Sequence, residues 1–385
     1  MYDSIIVGAG PAGAYSAYLL AEKGFRILLL DKAALPRYKT CGGGLPYKTI
    51  SSVPFDLQPV LEVEAKGGRV AYQGRTALEV DFEKSYGWLV MRDRFDYFLV
   101  EQAVAAGAEL ATEARLLSLQ LTAHQVVVET TRGSFAAQTL IGADGVNSLT
   151  ARTLNMLPDR LTGVALEAEV EVPLSALLEQ GPNVTFDFGA LPKGYGWIFP
   201  KRDHLSVGVF QAYPGKAVDI RRRLGQYMEW VPLLKECKIA RLHGHHIPLG
   251  DTPGNIHHDR VLLVGDAANL ADAWIGEGIY YALQSARIAS QVITTALSSG
   301  GMDLSAYSRR VQRLIGKQLA AAHGFARLVY WKPEIATKLL SRSHRLQQLL
   351  FSAIRGDLSL PEFSRRFWMR SPVILLEALS HRNIQ

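Results

Sequence analysis

Three short glycine-bearing turns, each following an apolar run, are the residues of this 385-residue chain whose types and spacing point to chemistry. The first is Gly8-Ala9-Gly10-Pro11-Ala12-Gly13, between the apolar run Ser4–Val7 and a helical pattern over Pro11–Lys23. Gly8 allows a tight turn, Gly10 lets a pyrophosphate approach the backbone, and Gly13 lets helix and strand pack closely. Asp31, 18 residues past Gly13 at the end of the next apolar run, can accept hydrogen bonds from ribose hydroxyls. A lone pattern of this kind is also met as an incidental turn, but its place between strand and helix favours a dinucleotide.

The second turn, Gly142-Ala143-Asp144-Gly145, and the third, Gly265-Asp266-Ala267-Ala268, each follow an apolar strand pattern. Either alone reads as an ordinary turn. Together and in this order they favour FAD over NAD, because the ribityl hydroxyls of FAD call for an acidic strand end far downstream. Gly276-Glu277-Gly278-Ile279 stands at a helix start, where backbone N–H groups would face the flavin edge and stabilise negative charge on the reduced ring. A purely structural helix entry is the alternative there.

Two further segments carry reactive or shaping side chains. In Pro192-Lys193-Gly194-Tyr195-Gly196-Trp197-Ile198-Phe199-Pro200 a period of two puts Tyr195, Trp197 and Phe199 on one face, as an aromatic wall or as core. Cys41 precedes Gly42, Gly43 and Gly44, which supply no side chains to bury it, and Arg37 and Lys39 stand close by in sequence, a setting that favours a thiolate. A small buried hydrophobe is the other reading of a lone cysteine. His243, His245, His246, His257 and His258 cluster in sequence without ligand-spaced acids or cysteines, so no metal is expected.

The elements that must position these residues open as a βαβ unit, with Gly24 capping the first helix and Arg26–Leu30 as the second buried strand. A helix is expected over Arg92–Ala106 and strands around Leu116–Val128 and Ser134–Ile141. Val164–Val172, Asn183–Phe188, Gly194–Phe199 and Leu205–Phe210 then read as a strand-rich insertion. Arg260–Val264 returns to the first domain, and a helix with a buried face follows over Gly278–Leu297. The expected class is α/β: a Rossmann-like FAD-binding domain with an inserted β-sheet substrate domain and a helical C-terminal region, an arrangement that resembles the aromatic hydroxylase-like fold. Residues 1–75, 91–160 and 256–300 are assigned to the first, 76–90 and 161–255 to the second, and 301–385 to the third.

Hydrophobic residues make up 48% and charged residues 20%, the composition of a folded globular protein. Two cysteines are too few for a disulfide framework and indicate a reducing compartment. The start lacks a signal peptide's basic region and no apolar run is long enough to span a bilayer, so a cytoplasmic protein is expected. The net charge of +6 is concentrated at the end: residues 301–385 hold 14 Lys plus Arg against 5 Asp plus Glu, a net +9. Interleaved with Phe325, Tyr330, Trp331, Phe351, Phe363, Phe367 and Trp368, that charge suits either an anionic membrane surface or a solvated face. No nucleic-acid motif accompanies it.

Over about residues 1–300 the three turns resemble those of the FAD-dependent family that contains aromatic hydroxylases, flavin halogenases and geranylgeranyl reductases. The resemblance implies that Asp144 supports the cofactor fold and that Gly265 and Asp266 contact ribityl and pyrophosphate. It also implies that Arg92, in Val90-Met91-Arg92-Asp93-Arg94-Phe95-Asp96, lies near the flavin, and it adds Pro11, Ala12, Lys32, Cys41 and Gly42 to the cofactor set. The P-x-x-Y-x-W-x-F-P pattern with Val207-Gly208, together with Gly276–Tyr280 and Cys41–Leu45, is similar to the geranylgeranyl reductases. Halogenases carry a tryptophan where Tyr195 stands. The resemblance therefore implies reduction of carbon–carbon double bonds in an isoprenoid or other long apolar substrate, with Cys41, Tyr195 and Trp197 at the catalytic site. A monooxygenase or halogenase, and an electron-transfer flavoprotein, are the alternatives on this scaffold. No second dinucleotide motif is visible, so electrons would come from transiently docked NADPH, ferredoxin, another donor protein or a quinol.

Overall fold

In the computed structural model, which describes residues 1–81, 84–157, 159–213, 218–251 and 254–380, the strand Tyr2–Val7 lies between parallel strands Ile27–Leu30 and Gly133–Gly142. The last five residues of the expected helical C-terminal region, 381–385, fall outside the described residues. Two units are distinct. The first comprises Met1–Lys39, Arg92–Leu161 and Ile247–Ala320, and the second Thr40–Met91, Thr162–His246 and Ala321–Gln385.

In the first unit Ile27–Leu30 and Val261–Leu263 are buried throughout, the continuous apolar run that a parallel strand covered on both faces requires. The parallel order is Val261–Leu263, Gly133–Gly142, Tyr2–Val7, Ile27–Leu30, Glu109–Ala111, and an antiparallel ribbon of Leu116–Leu121 and Val126–Thr130 extends Gly133–Gly142. The helix Pro11–Ala21 packs against Arg92–Ala105 and Ile279–Ser299, and its buried Ala12, Gly13, Ala14, Ser16 and Ala17 permit close approach. Gly8, Asp31, Ala143 and Gly265 all follow the carboxyl ends of neighbouring parallel strands, the crevice where doubly wound sheets bind ligands.

The second unit is built on a seven-stranded sheet ordered Lys238–Pro248, Thr162–Glu171, His204–Gln211, Gly194–Pro200, Asn183–Asp187, Gly67–Tyr72, Arg75–Asp81. One face carries Leu166, Ala168, Val170, Ile198, Val207 and Val209, packed on Leu224, Tyr227 and Met228 of the helix Ile220–Trp230. By alternation, Glu167, Tyr195, Trp197, Phe199, Ser206 and Phe210 belong to the other face. Thr40–Met91 belongs wholly to this unit, a longer segment than the residues 76–90 read from the sequence, because Gly67–Tyr72 pairs with Asn183–Asp187. Helices continue from Pro333–Arg342 through His344–Arg355 to Leu360–Ser380. Among the described residues no helix is long and apolar enough to cross a membrane.

Candidate active site

The three glycine-bearing turns adjoin one another in the first unit. Gly8 has φ +105°, and a Cβ there would stand 2.3 Å from Ala143 O, so the first and second turns touch. A Cβ on Gly13 would lie 1.8 Å from Gly8 O, which leaves glycine as the one residue that fits. Gly265, at φ +55°, sits against Ala12, and Gly278 sits against Asp266. Gly10 differs: a Cβ there would meet only Arg37 Nη2, at 3.8 Å, so its backbone faces open space. The helices that begin at Pro11 and Ile279 have no side-chain cap from Gly10 or Gly278, and such helix starts suit an anionic or carbonyl-bearing ligand.

Asp31 is buried and shapes the turn from below. Its Oδ2 accepts from Ala9 N and its Oδ1 from Ala33 N, both at 2.9 Å. Arg37 links this carboxylate, 3.5 Å from Nε, to Asp96, 3.8 Å from Nη1, and Asp96 is held by Arg92 through contacts of 2.7 and 2.9 Å. Arg92 is thus engaged in a buried bidentate ion pair, and Arg37 belongs to the Asp31 network rather than standing as a simple cation for Cys41. Lys32 is exposed. Asp144 accepts from Ser148 Oγ at 2.5 Å and Thr150 N at 3.0 Å, and so closes its own turn into the helix Leu149–Thr153. Gly276 adopts φ +68° ahead of the uncapped start at Gly278 and Ile279.

Cys41, Gly42, Tyr195 and Trp197 belong to the second unit. Tyr195 and Trp197 are buried, with ring centroids 6.2 Å apart, and Trp197 and Phe199 follow at 6.4 Å. Phe186 and Phe210 each stand 5.4 Å from Tyr195. The stripe is therefore one continuous aromatic wall. Trp197 lies over the neighbouring strand because Gly208, its register partner, has no side chain: a Cβ there would be 2.1 Å from Cζ2 of the indole. On its other side a Cβ on Gly42 would meet Phe199 at 2.8 Å and the indole nitrogen of Trp197 at 3.2 Å. The glycines after Cys41 are needed to lay the loop on the wall.

A buried polar network joins this loop to the wall. Trp197 Nε1 donates to Ser206 Oγ at 3.2 Å, Ser206 Oγ donates to Glu167 Oε1 at 2.8 Å, and Cys41 N donates to Glu167 Oε2 at 2.7 Å. Gly43 N donates to Cys41 Sγ at 3.4 Å. Lys201, also buried, donates from Nζ to Gly42 O and Val90 O, both at 2.8 Å. Burial pushes the Lys201 ammonium below its ordinary pKa, while Glu167, Cys41 and Glu62 pull it back. Opposed charges at Glu167 and Lys201 offset part of each other's desolvation. Sequence reasoning missed both, and Ser206. The available signal was a charged residue at position 201 immediately after the Pro200 that ends a buried strand, and a glutamate among apolar neighbours in Val164–Val170. Of the five clustered histidines, His243, His245 and His246 lie on the edge strand Lys238–Pro248, whereas His257 in the first unit contacts Ser308 Oγ at 2.7 Å.

The FAD binding domain family matches residues 1–223, and the protein is an FAD-dependent oxidoreductase. An uncharacterised protein of Methanosarcina barkeri is 34% identical over 97% of this chain and 95% of its own length. The digeranylgeranylglycerophospholipid reductase of Methanothrix thermoacetophila is 31% identical over 83% of this chain and 85% of its own. The chain belongs to the geranylgeranyl reductase family of these flavoproteins. The crystal structure of a geranylgeranyl bacteriochlorophyll reductase-like protein from Thermoplasma acidophilum shares the fold, with a TM-score of 0.76 at 23% identity and 98% coverage of both chains. The halogenase PltM shares it too, with a TM-score of 0.73 at 17% identity over 99% of this chain and 93% of its own. The fold is therefore common to more than one reaction.

FAD is the cofactor, and the first unit fits it. The backbone at Gly10 and the helix start at Pro11, which has no side-chain cap, border open space that a Cβ on Gly10 would enter, room of the kind a pyrophosphate requires.

Proposed function

We propose that this protein reduces carbon–carbon double bonds in an isoprenoid or another long apolar substrate. The observation that carries the reading is the wall of buried Tyr195 and Trp197 and half-buried Phe199 with the Cys41 loop laid against it, in a chain whose relatives include a digeranylgeranylglycerophospholipid reductase. Bound reduced FAD supplies a hydride equivalent at N5. The pyrophosphate is held by Gly8, Gly10, Pro11, Ala12 and Gly13, the ribose by Asp31 with Lys32 beside it, and the ribityl chain by Gly265 and Asp266. Gly276, Gly278, Ile279, Arg92, Cys41 and Gly42 contribute to the flavin's surroundings, and Asp144 keeps the central turn in shape.

The protein's own task is to exclude water and deliver a proton. One alkene carbon gains hydride with its electron pair, and the pair of the broken π bond forms the second C–H bond by taking up a proton at the other carbon. An isolated alkene is a poor hydride acceptor, so the proton source must be held in place beside a dry, apolar channel. Trp197 shapes that channel, and Cys41 and Tyr195 hold or relay the proton. Glu167 sets the Cys41 backbone by accepting its N–H, and Lys201 fixes the next carbonyl.

The test is the extent of reduction of a geranylgeranyl lipid by the purified, chemically reduced protein, read by mass spectrometry as added pairs of hydrogens. Cys41→Ser and Tyr195→Phe are each expected to lower the rate by 10²-fold or more, roughly what a positioned acid contributes. Full activity in both variants would end the assignment of these residues. The halogenase reading is disfavoured by tyrosine at position 195, and a long-lived C4a-oxygen adduct coupled to substrate oxidation would restore it.

A further inference from the structure

We infer that the helix Leu360–Ser380 seats this protein on an anionic phospholipid surface. That helix has two apolar faces. At about 100° per residue, Phe363, Phe367, Ile374 and Ala378 form one stripe, and all four are buried. Trp368, Met369, Val373, Leu375, Leu376 and Leu379 occupy about 160° of arc on the opposite side. These six keep between 45% and 74% of their surface exposed. A surface helix ordinarily carries polar residues there. An apolar face of six large side chains left open to water marks an interaction surface.

The border of the face identifies its occupant. Arg366 and Arg370 follow Val373 around the helix, and with Arg345 of the neighbouring helix they line a hollow of about 280 Å³. Asp357 and Glu362 also line it; Arg366 pairs with Glu362, Arg355 with Asp357, and Arg345 stands 3.8 Å from Glu377, so four guanidinium groups meet three carboxylates. A hollow of that size has room for a phosphate-bearing headgroup beside an apolar face that would enter the acyl boundary. A second copy of the chain fits less well. A twofold contact through this face would bring together two segments of net +9, whereas anionic lipid neutralises them. Since no described helix can cross a membrane, the attachment is interfacial.

The full-length, FAD-loaded protein should be sedimented with vesicles of phosphatidylcholine and of phosphatidylcholine mixed with phosphatidylglycerol. Preferential partition onto the mixed vesicles, weakening as salt is raised, is expected. Arg366→Gln with Arg370→Gln should weaken that partition on the order of thirtyfold, about fivefold per charge. Trp368→Ser, Met369→Ser and Leu376→Ser combined should abolish binding to both vesicle types, and all these exposed changes should leave flavin content unaltered. Wild-type protein remaining in the supernatant with mixed vesicles would overturn the inference. So would wild-type partition by either variant, or a dimer in light scattering that the apolar variant splits without loss of vesicle binding. Sedimentation needs no turnover, so failure here leaves the reductase reading standing.

Discussion

Replacing Gly208 with alanine tests whether the aromatic wall depends on a missing side chain one strand away. The new Cβ would stand 2.1 Å from Cζ2 and 2.3 Å from Cη2 of Trp197, and 2.6 Å from Leu166 O. Ordinary contact begins at 3.4 Å, so the indole must retreat about 1.3 Å or the two strands must part. Overfilling a packed site costs about 1–3 kcal/mol. Moving the ring also loosens its 3.2 Å hydrogen bond to Ser206, worth about 1 kcal/mol. The expected loss is about 2–4 kcal/mol, or roughly 5–10 °C in melting temperature for a domain of this size. Under the proposed function, in which Trp197 shapes the substrate channel, alkene reduction should fall with it. Gly225→Ala is the control: Gly225 is exposed in the helix Ile220–Trp230 with nothing within 4 Å of its would-be Cβ, so alanine there should stabilise by up to about 1 kcal/mol. Trp197→Leu combined with Gly208→Ala should be less destabilised than the two single effects added, since the smaller side chain removes the clash with the ring and leaves only that with Leu166 O. A Gly208→Ala protein that melts with the wild type, or strictly additive double-variant values, would refute the reasoning.

Two further outcomes follow from the geometry. Gly10→Ala should leave apo-protein melting nearly unchanged, because the site has φ −76° and open space, yet raise the FAD dissociation constant at least about tenfold by blocking the pyrophosphate approach; fluorescence titration with FAD checks this, and unchanged affinity would count against the cradle. Burial lowers the Lys201 pKa from 10.5, so as pH rises the folded state releases this proton before the unfolded state does. The unfolded state then binds more protons, and the Lys201 contribution to stability rises with pH between the lowered value and 10.5, with its full desolvation cost present below that window. Urea unfolding of wild type and Lys201→Met across this range should show curves that diverge upward for the wild type; parallel curves would show that Lys201 does not titrate in this way.

The nucleotide-binding unit was largely legible because its determinants are local. Parallel strands buried on both faces must be short continuous apolar runs, and Gly8, Gly13 and Gly265 occupy turns where a Cβ would strike neighbouring atoms within hard-sphere distance. The stripe Tyr195, Trp197 and Phe199 was legible for the same reason, since the two-residue period of a strand alone puts them on one face. Less of the second unit could be read. Lys238–Pro248 is an edge strand exposed along most of its length, so it lacks the buried alternation that marks a strand. Arg75–Asp81, at the opposite edge, pairs in a hairpin with Gly67–Tyr72 just before it and is likewise mostly exposed.

What the amino-acid order determined by itself was the set of glycine turns at the ends of the parallel strands, the reversal of the chain there and the single aromatic face. Which side chains meet that face was decided only by the tertiary structure. Glu167 reaches Cys41 across 126 residues of chain and Lys201 reaches Gly42 across 159, distances over which no periodicity survives. Arg92 likewise became half of a buried ion pair because its helix places Asp96 one turn away and the fold brings Arg37 to that carboxylate. A turn or a strand face is set by neighbours a few bonds apart, whereas a buried charge is tolerated only where folding supplies its partner.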